Sequence, residues 1–207
     1  MRTYIEPVAI QQLEGRCAAA SEAFMCEGAV LQQEGGLLIH RDAGSSVLGI
    51  AHLDFVGGTK HTFSYSNSKK GERTVMNERL DDRLGAYLLL DYLPSIGVNC
   101  DVLLTDNEEK GKSTAASFVT LKNYNWIFSF DRRGDDVVLY QYATESLVKM
   151  MENNTFKVGS GSYSCIANLE HLGVSGINFG TGYHRNHSPQ CYAELSETEK
   201  MANAMAK

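Results

Sequence analysis

Leu80-Asp81-Asp82-Arg83-Leu84-Gly85 places two adjacent carboxylates directly before an apolar helical pattern and directly after a polar loop. Carboxylates gather at helix starts because free amide N–H groups and the macrodipole point there. From Asp82 the pattern is helical: Leu84, Tyr87, Leu88, Leu90 and Tyr92 form a broad apolar face, and Pro94 and Gly97 end it. On either side lie short apolar runs of strand type, Val47–His52 before it and Asp101–Thr105 after it. A strand, a helix and a second strand in succession is the signature of an α/β sheet.

The pattern continues in both directions. Leu37–His40 reads as a strand, and Thr62–Tyr65 with Arg73–Met76 reads as a polar surface hairpin around residues 67–71. Downstream, Trp126–Phe130, Val137–Tyr140 and Val174–Phe179 read as strands. Helices are expected over Ala18–Met25, around Ala115–Val119, and over Thr144–Met151, Tyr163–Leu172 and Glu194–Ala206. The expected fold is α/β: a single three-layer domain over residues 1–207, with a mixed, largely parallel sheet flanked by helices.

The chain has 207 residues, 43% of them hydrophobic, which suffices for one sizeable core. Net charge is −6 with no basic run, so nucleic acid is not an expected partner. No apolar stretch approaches the ~20 residues that a membrane helix needs, so no membrane partner is expected either. The five cysteines, Cys17, Cys26, Cys100, Cys165 and Cys191, show no CxxC spacing and read as reduced and buried. With no signal-peptide pattern at Met1–Glu6, a cytoplasmic setting is expected.

The polar clusters follow the strands. Ala51-His52-Leu53-Asp54 ends one strand. Asn107-Glu108-Glu109-Lys110-Gly111 follows a second, Asp131 a third, and His184–His187 a fourth. In open α/β sheets, ligands bind outside the carboxyl ends of strands. Each cluster has a bland alternative: a helix cap at Asp81-Asp82, a solvated acidic turn at Glu108-Glu109, a salt bridge from Asp131 to Arg132 or Arg133, and a polar surface loop around His187. Four clusters at four such ends make a stronger case than any one of them.

Chemically, His52 can bind a cation through one ring nitrogen while a carboxylate fixes the other. Asp81 can bridge two cations through its two oxygens. Glu108-Glu109 offers one ligand and one general base. Candidate ligands of nitrogen and oxygen type without thiolate suit Zn2+, with Co2+ or Mn2+ as alternatives.

In their order, AHLD, LDDRLG, NEEKG, FSFD and HSP resemble the motifs of the zinc-dependent co-catalytic aminopeptidases and their carboxypeptidase and deacylase relatives. The resemblance runs from about Leu48 to Pro189. It implies a zinc-exopeptidase-like fold and two divalent metal ions, one held by His52 and Asp131, the other by Glu109 and His187, with Asp81 bridging. It also implies a cis peptide after Asp81, Asp54 as the residue orienting His52, and Glu108 as the general base in amide hydrolysis. The implied substrate is a small peptide. An acyl-amino acid is the alternative, kept open by Arg83, Arg132, Arg133 and Arg185, any of which could take a substrate carboxylate. A non-catalytic metal-binding or assembly module is a further alternative.

The intervals between His52 and Asp81 and between Asp131 and His187 are too short for the inserted lid or dimerisation domain of many relatives. A homo-oligomer could supply the missing contacts. Ser164-Cys165 departs from the Ser-Asp of many relatives, and His184 is an alternative ligand to His187.

Overall fold

Residues with the strongest apolar runs occupy the middle of a seven-stranded sheet. The computed structural model describes residues 5, 29–32, 35–57, 64–67 and 73–207. The sheet is built from β1 (Ala29–Gln32), β2 (Leu38–Arg41), β3 (Val47–His52), β6 (Asp101–Thr105), β7 (Trp126–Ser129), β8 (Val137–Val138) and β9 (Ser175–Phe179). Its order is β1-β2-β6-β3-β7-β9-β8. The four central strands, β6, β3, β7 and β9, are parallel, and the pairings outside them are antiparallel. The α/β class and the mixed sheet with a parallel centre agree with the expectation.

Parallel strands are covered on both faces, so they read as continuous apolar runs. In β3 only Val47 is partly exposed. Gly49 is required by packing: a Cβ there would lie 2.5 Å from Leu89 Cδ2 and 3.2 Å from Phe128 Cζ. Leu89 belongs to the helix that begins at α1 (Leu80–Tyr87) and runs through a π-helical stretch, Leu88–Tyr92, into a last turn, Leu93–Ser95. All eight residues of α1 are buried, as befits a helix pressed into a core. Elsewhere in the core the rings of Phe128, Phe130, Phe156 and Phe179 meet one another, with centroids 5.4–6.4 Å apart.

A second, antiparallel sheet pairs β4 (Ser64–Asn67), β5 (Arg73–Met76), β10 (Tyr183–His184) and β11 (Tyr192–Glu194) in the order β10-β11-β5-β4. Two further helices are α2 (Glu145–Asn153), capped by the Thr144 hydroxyl, and α3 (Leu195–Met205). Strands β10 and β11, of two and three residues, are too short to have stood out in the sequence, and β1 was not among the expected strands. The helix expected over Ala18–Met25, and part of the β4–β5 hairpin, lie outside the described residues, as do Cys17 and Cys26. Cys100, Cys165 and Cys191 are buried free thiols. No described helix is long and apolar enough to cross a membrane.

Two expected helices and part of one strand do not form. Around Ala115–Val119 there is one 3₁₀ turn, Thr114–Ser117, and Phe118 leaves it extended at φ −69° and ψ 121°. Burying the Phe118 ring against His40, with centroids 5.2 Å apart, turns the chain outward and leaves Val119 82% exposed. Tyr163–Leu172 forms two 3₁₀ turns, Cys165–Asn168 and Glu170–Leu172. Here the Asn168 amide donates to Tyr163 Oη and the Ser164 carbonyl, competing with helical pairing. The strand expected over Val137–Tyr140 keeps only Val137–Val138, because Tyr140 turns left-handed at φ 44°.

Candidate active site

The carboxyl ends of the parallel strands converge on one cluster of side chains. His52 ends β3. Glu108 and Glu109 sit in a 3₁₀ turn, Glu108–Lys110, after β6. Asp131 follows β7, and His187 lies in the turn between β10 and β11. Asp81 stands between the two histidines. Its Oδ1 is 3.2 Å from His52 Nε2, and its Oδ2 is 3.1 Å from His187 Nε2. Asp131 Oδ1 lies 3.6 Å from His52 Nε2, and Glu109 Oε2 lies 2.9 Å from His187 Nε2. Glu108 Oε2 is 3.9 Å from His52 Nε2. His184 is elsewhere, stacked on Tyr192 with its Nε2 3.3 Å from Glu197 Oε2.

The local backbone explains why these residues meet. The Asp81–Asp82 peptide is cis, and both residues have non-helical dihedrals. The regular helix therefore starts after Asp82, and Asp81 points back across the strand ends. Asp82 is the cap: its Oδ1 accepts from the Gly85 amide at 3.0 Å, and its Oδ2 accepts from the His52 amide at 3.3 Å. A Cβ on Gly85 would stand 2.1 Å from Asp82 Oδ1, which is why glycine follows Leu84 in the motif.

Asp54, the residue expected to orient His52, lies against its Nδ1 through both main chain and side chain. The closest partner of His52 Nδ1 is the Asp54 main-chain carbonyl at 3.0 Å, with carboxylate oxygen Oδ1 at 3.4 Å. The carboxylate also accepts the amides of Glu108 and Glu109, one on each oxygen, both at 3.1 Å. One residue thus fixes the histidine and the acidic turn together.

Three supporting residues were not singled out from the sequence for these roles. Ser164 Oγ donates to Asp131 Oδ2 at 2.8 Å. The Asn178 amide brackets the Asp131 backbone, accepting from its N–H at 3.0 Å and donating to its carbonyl at 2.9 Å. Asn186 Nδ2 donates to Asp81 Oδ2 at 3.2 Å. A polar Asn178 inside the apolar run of β9 was the one available signal. Cys165 makes no contact of this kind with Asp131: its Sγ accepts from Ser113 Oγ at 3.1 Å and lies 2.9 Å from Thr105 Oγ1.

Apart from the half-exposed His187, the cluster is largely buried, and it is strongly anionic. His52 is 1% exposed, Asp81 5% and Asp82 fully buried. Burial pushes Glu108 up to about 8 and Glu109 up to about 7, with the Asp131 and Asp81 charges adding to each. Burial also raises Asp131, and raises Asp82 well above the carboxylate range. Asp81 goes the other way: hydrogen bonds from His187 and His52 overcome its burial and hold it low. The Asp81 contact lifts His187 to about 9. His52 is raised against its own burial by Asp131, Asp54 and Asp81.

Two carboxylates about 4 Å apart repel by about 4 kcal/mol at an effective dielectric of about 20, more than an ordinary hydrogen bond returns. Six carboxylates around two imidazoles therefore call for added positive charge. The residues fit divalent cations on two counts. Glu109 Oε1 is buried with no hydrogen-bond partner. Donor atoms around a four-coordinate zinc lie roughly 3.4 Å apart, and the spacings from His52 and His187 to their carboxylates are 2.9–3.6 Å.

No protein-family model matches the sequence, and no curated protein is found similar to it. Solved structures are similar. PhTET1-12s, a dodecamer, is 14% identical over 97% of this chain and 98% of its own, with a TM-score of 0.63. The TET aminopeptidase of the marine sediment archaeon Thaumarchaeota archaeon SCGC AB-539-E09 is 12% identical over 96% of this chain and 94% of its own, at 0.61. Aminopeptidase APDkam598 from the archaeon Desulfurococcus kamchatkensis is 14% identical over 97% and 92%, at 0.58. At such identities the likeness is one of architecture, and the chain has the α/β fold shared by these three structures.

Proposed function

We propose that this protein is a two-metal amide hydrolase, an aminopeptidase acting on small peptides. The observation that carries the reading is Asp81, whose two oxygens address His52 and His187 from opposite sides. His52 and Asp131 would hold one cation, Glu109 and His187 the other, and Asp81 would bridge. Zinc suits this donor set, with Co2+ or Mn2+ as substitutes. The bound cations supply Lewis acidity, which polarises a scissile carbonyl and acidifies water.

The chain's own groups do the rest. The Asp54 carbonyl holds His52 Nδ1, so Nε2 faces the cluster. The Asp54 carboxylate holds the turn that carries Glu108 and Glu109. Glu108 lines the same cavity as Asp81 and Asp131. From there it can take a proton from the attacking water and deliver it to the leaving amine. Ser164 and Asn178 keep Asp131 in place, and Asn186 does the same for Asp81. The dodecameric state of PhTET1-12s supports self-association of this chain as well.

The test is elemental analysis of protein purified without chelator and reloaded with Zn2+, beside the Asp81→Ala and Glu108→Gln variants. The expected result is about two metals per chain, falling sharply in Asp81→Ala and retained in Glu108→Gln. Peptide hydrolysis in Glu108→Gln should drop by about 10²–10⁴-fold. No bound metal at saturating Zn2+ would overturn the reading. Undiminished hydrolysis in Glu108→Gln would remove that residue's role.

A further inference from the structure

A cavity of about 530 Å³ contains Asp81, Glu108, Asp131 and His187. A second, of about 690 Å³, adjoins it, and the two share Arg132, Arg133 and Tyr183 as a common wall. The second cavity is cationic in a chain whose net charge is −6. Arg132 is already matched, its Nε and a terminal nitrogen 2.5 and 2.7 Å from the two Asp136 oxygens. Arg133, Lys157 and Arg185 also line this cavity, against the remaining carboxylate of Asp135. Among the described residues, none of these three side chains has a hydrogen bond or an ion pair.

The turn that carries Arg185 ties this wall to the carboxylate cluster. Arg185 and His187 both adopt left-handed backbone, at φ 54° and 59°, which residues with a Cβ rarely do. Between them Asn186 donates to Asp81. The same turn therefore presents His187 to the first cavity and Arg185 to the second, in a conformation that the surrounding contacts must enforce.

We propose that the Arg133–Arg185 wall binds a carboxylate of the substrate, so that this site selects peptides bearing an anionic group on either side of the scissile amide. A guanidinium fork matches a carboxylate in charge and in planar geometry, and a partner already held by another acid could not do so. Of the arginines near the sequence motifs, Arg83 is buried and Arg132 is engaged with Asp136, which leaves Arg133 and Arg185. The carboxylate can be a chain terminus or an acidic side chain. The inference rests on the peptidase reading for one point, that the scissile amide lies at the Asp81 cluster.

The test is isothermal titration calorimetry on the Zn2+-loaded Glu108→Gln protein with Ala-Ala, its C-terminal amide, and Glu-Ala amide. Tighter binding of Ala-Ala than of its amide identifies the terminal carboxylate. Tighter binding of Glu-Ala amide than of Ala-Ala amide identifies the side chain. Either preference should reach about tenfold, the scale of one charged hydrogen bond. It should shrink in 0.5 M NaCl and collapse when Arg133→Gln and Arg185→Gln are added, with Lys157→Gln as a further variant at this exposed wall. Equal affinity for all three ligands, absence of binding, or a preference that survives the arginine substitutions would overturn the proposal. Hydrolysis of the same three compounds by the unsubstituted zinc protein separates the two readings. A binding preference without cleavage keeps the wall and removes the peptidase, and cleavage without a binding preference does the reverse.

Discussion

Asp54→Asn should loosen the acidic turn, and the size of the effect follows from two bonds. The Asp54 carboxylate accepts the Glu108 and Glu109 amides at 3.1 Å each, with its side chain 14% exposed. A hydrogen bond to a charged group contributes about 1.5–3 kcal/mol, and partial exposure argues for the lower half of that range. Asparagine offers one oxygen to two donors, and its NH2 meets the second amide as donor against donor. The expected loss is about 2–3 kcal/mol in metal-free protein, read as the shift in urea midpoint at unchanged slope. Zinc affinity, measured by chelator competition, should fall about 10–100-fold, as when a group behind a ligand is removed. Metal-free stability within about 0.5 kcal/mol of the parent would refute the claim that this carboxylate holds the turn. A stability loss with zinc affinity intact would instead show that the turn carries no ligand.

At the opposite end of the sheet, Asp101 supports an acid-sensitive contact. Burial pushes its carboxyl up, but Lys122, the Ser45 and Ala43 amides and the Tyr124 hydroxyl prevail and hold it below its ordinary value of 3.8. Its stabilising contribution is therefore complete above that unfolded-state value and is lost as pH falls through the lower native one. Urea midpoints between about pH 2 and 6 should show this acid limb, flattened in Asp101→Asn; an identical limb in the variant would assign it elsewhere. Gly49→Ala should cost about 1–3 kcal/mol by overpacking Leu89 against the sheet, checked by thermal denaturation; a neutral result would mean that the helix can shift.

The sequence was most informative where the deciding interactions are local. Continuous apolar runs gave β3, β6, β7 and β9 because a strand covered on both faces needs apolar residues at consecutive positions. The apolar pattern after Asp82 gave the central helix, and Thr144 and Ser175 fall at the starts of α2 and β9 within a residue of expectation. The same reading failed over Ala115–Val119 and Tyr163–Leu172. There, tertiary bonds such as Tyr163 Oη accepting from the Ser113 amide compete with helical pairing. A periodicity argument contains no term for such partners.

By itself, then, the sequence determined the order of the elements and which chemistry-bearing residues follow which strands, since both depend on neighbours along the chain. Only the tertiary structure decided which groups meet. It set His187 rather than His184 against Asp81 and gave the paired acids different tasks, Asp81 facing the histidines and Asp82 capping the helix. It also turned the Asp54 carboxylate toward the Glu108–Glu109 amides and put Arg133 and Arg185 in the lining of one cavity. These outcomes depend on backbone dihedrals and on contacts between residues far apart in the chain, as in the left-handed turn at Arg185 and His187. The identities of neighbouring residues do not encode such distances, and packing the sheet, the helix and the turn against one another does.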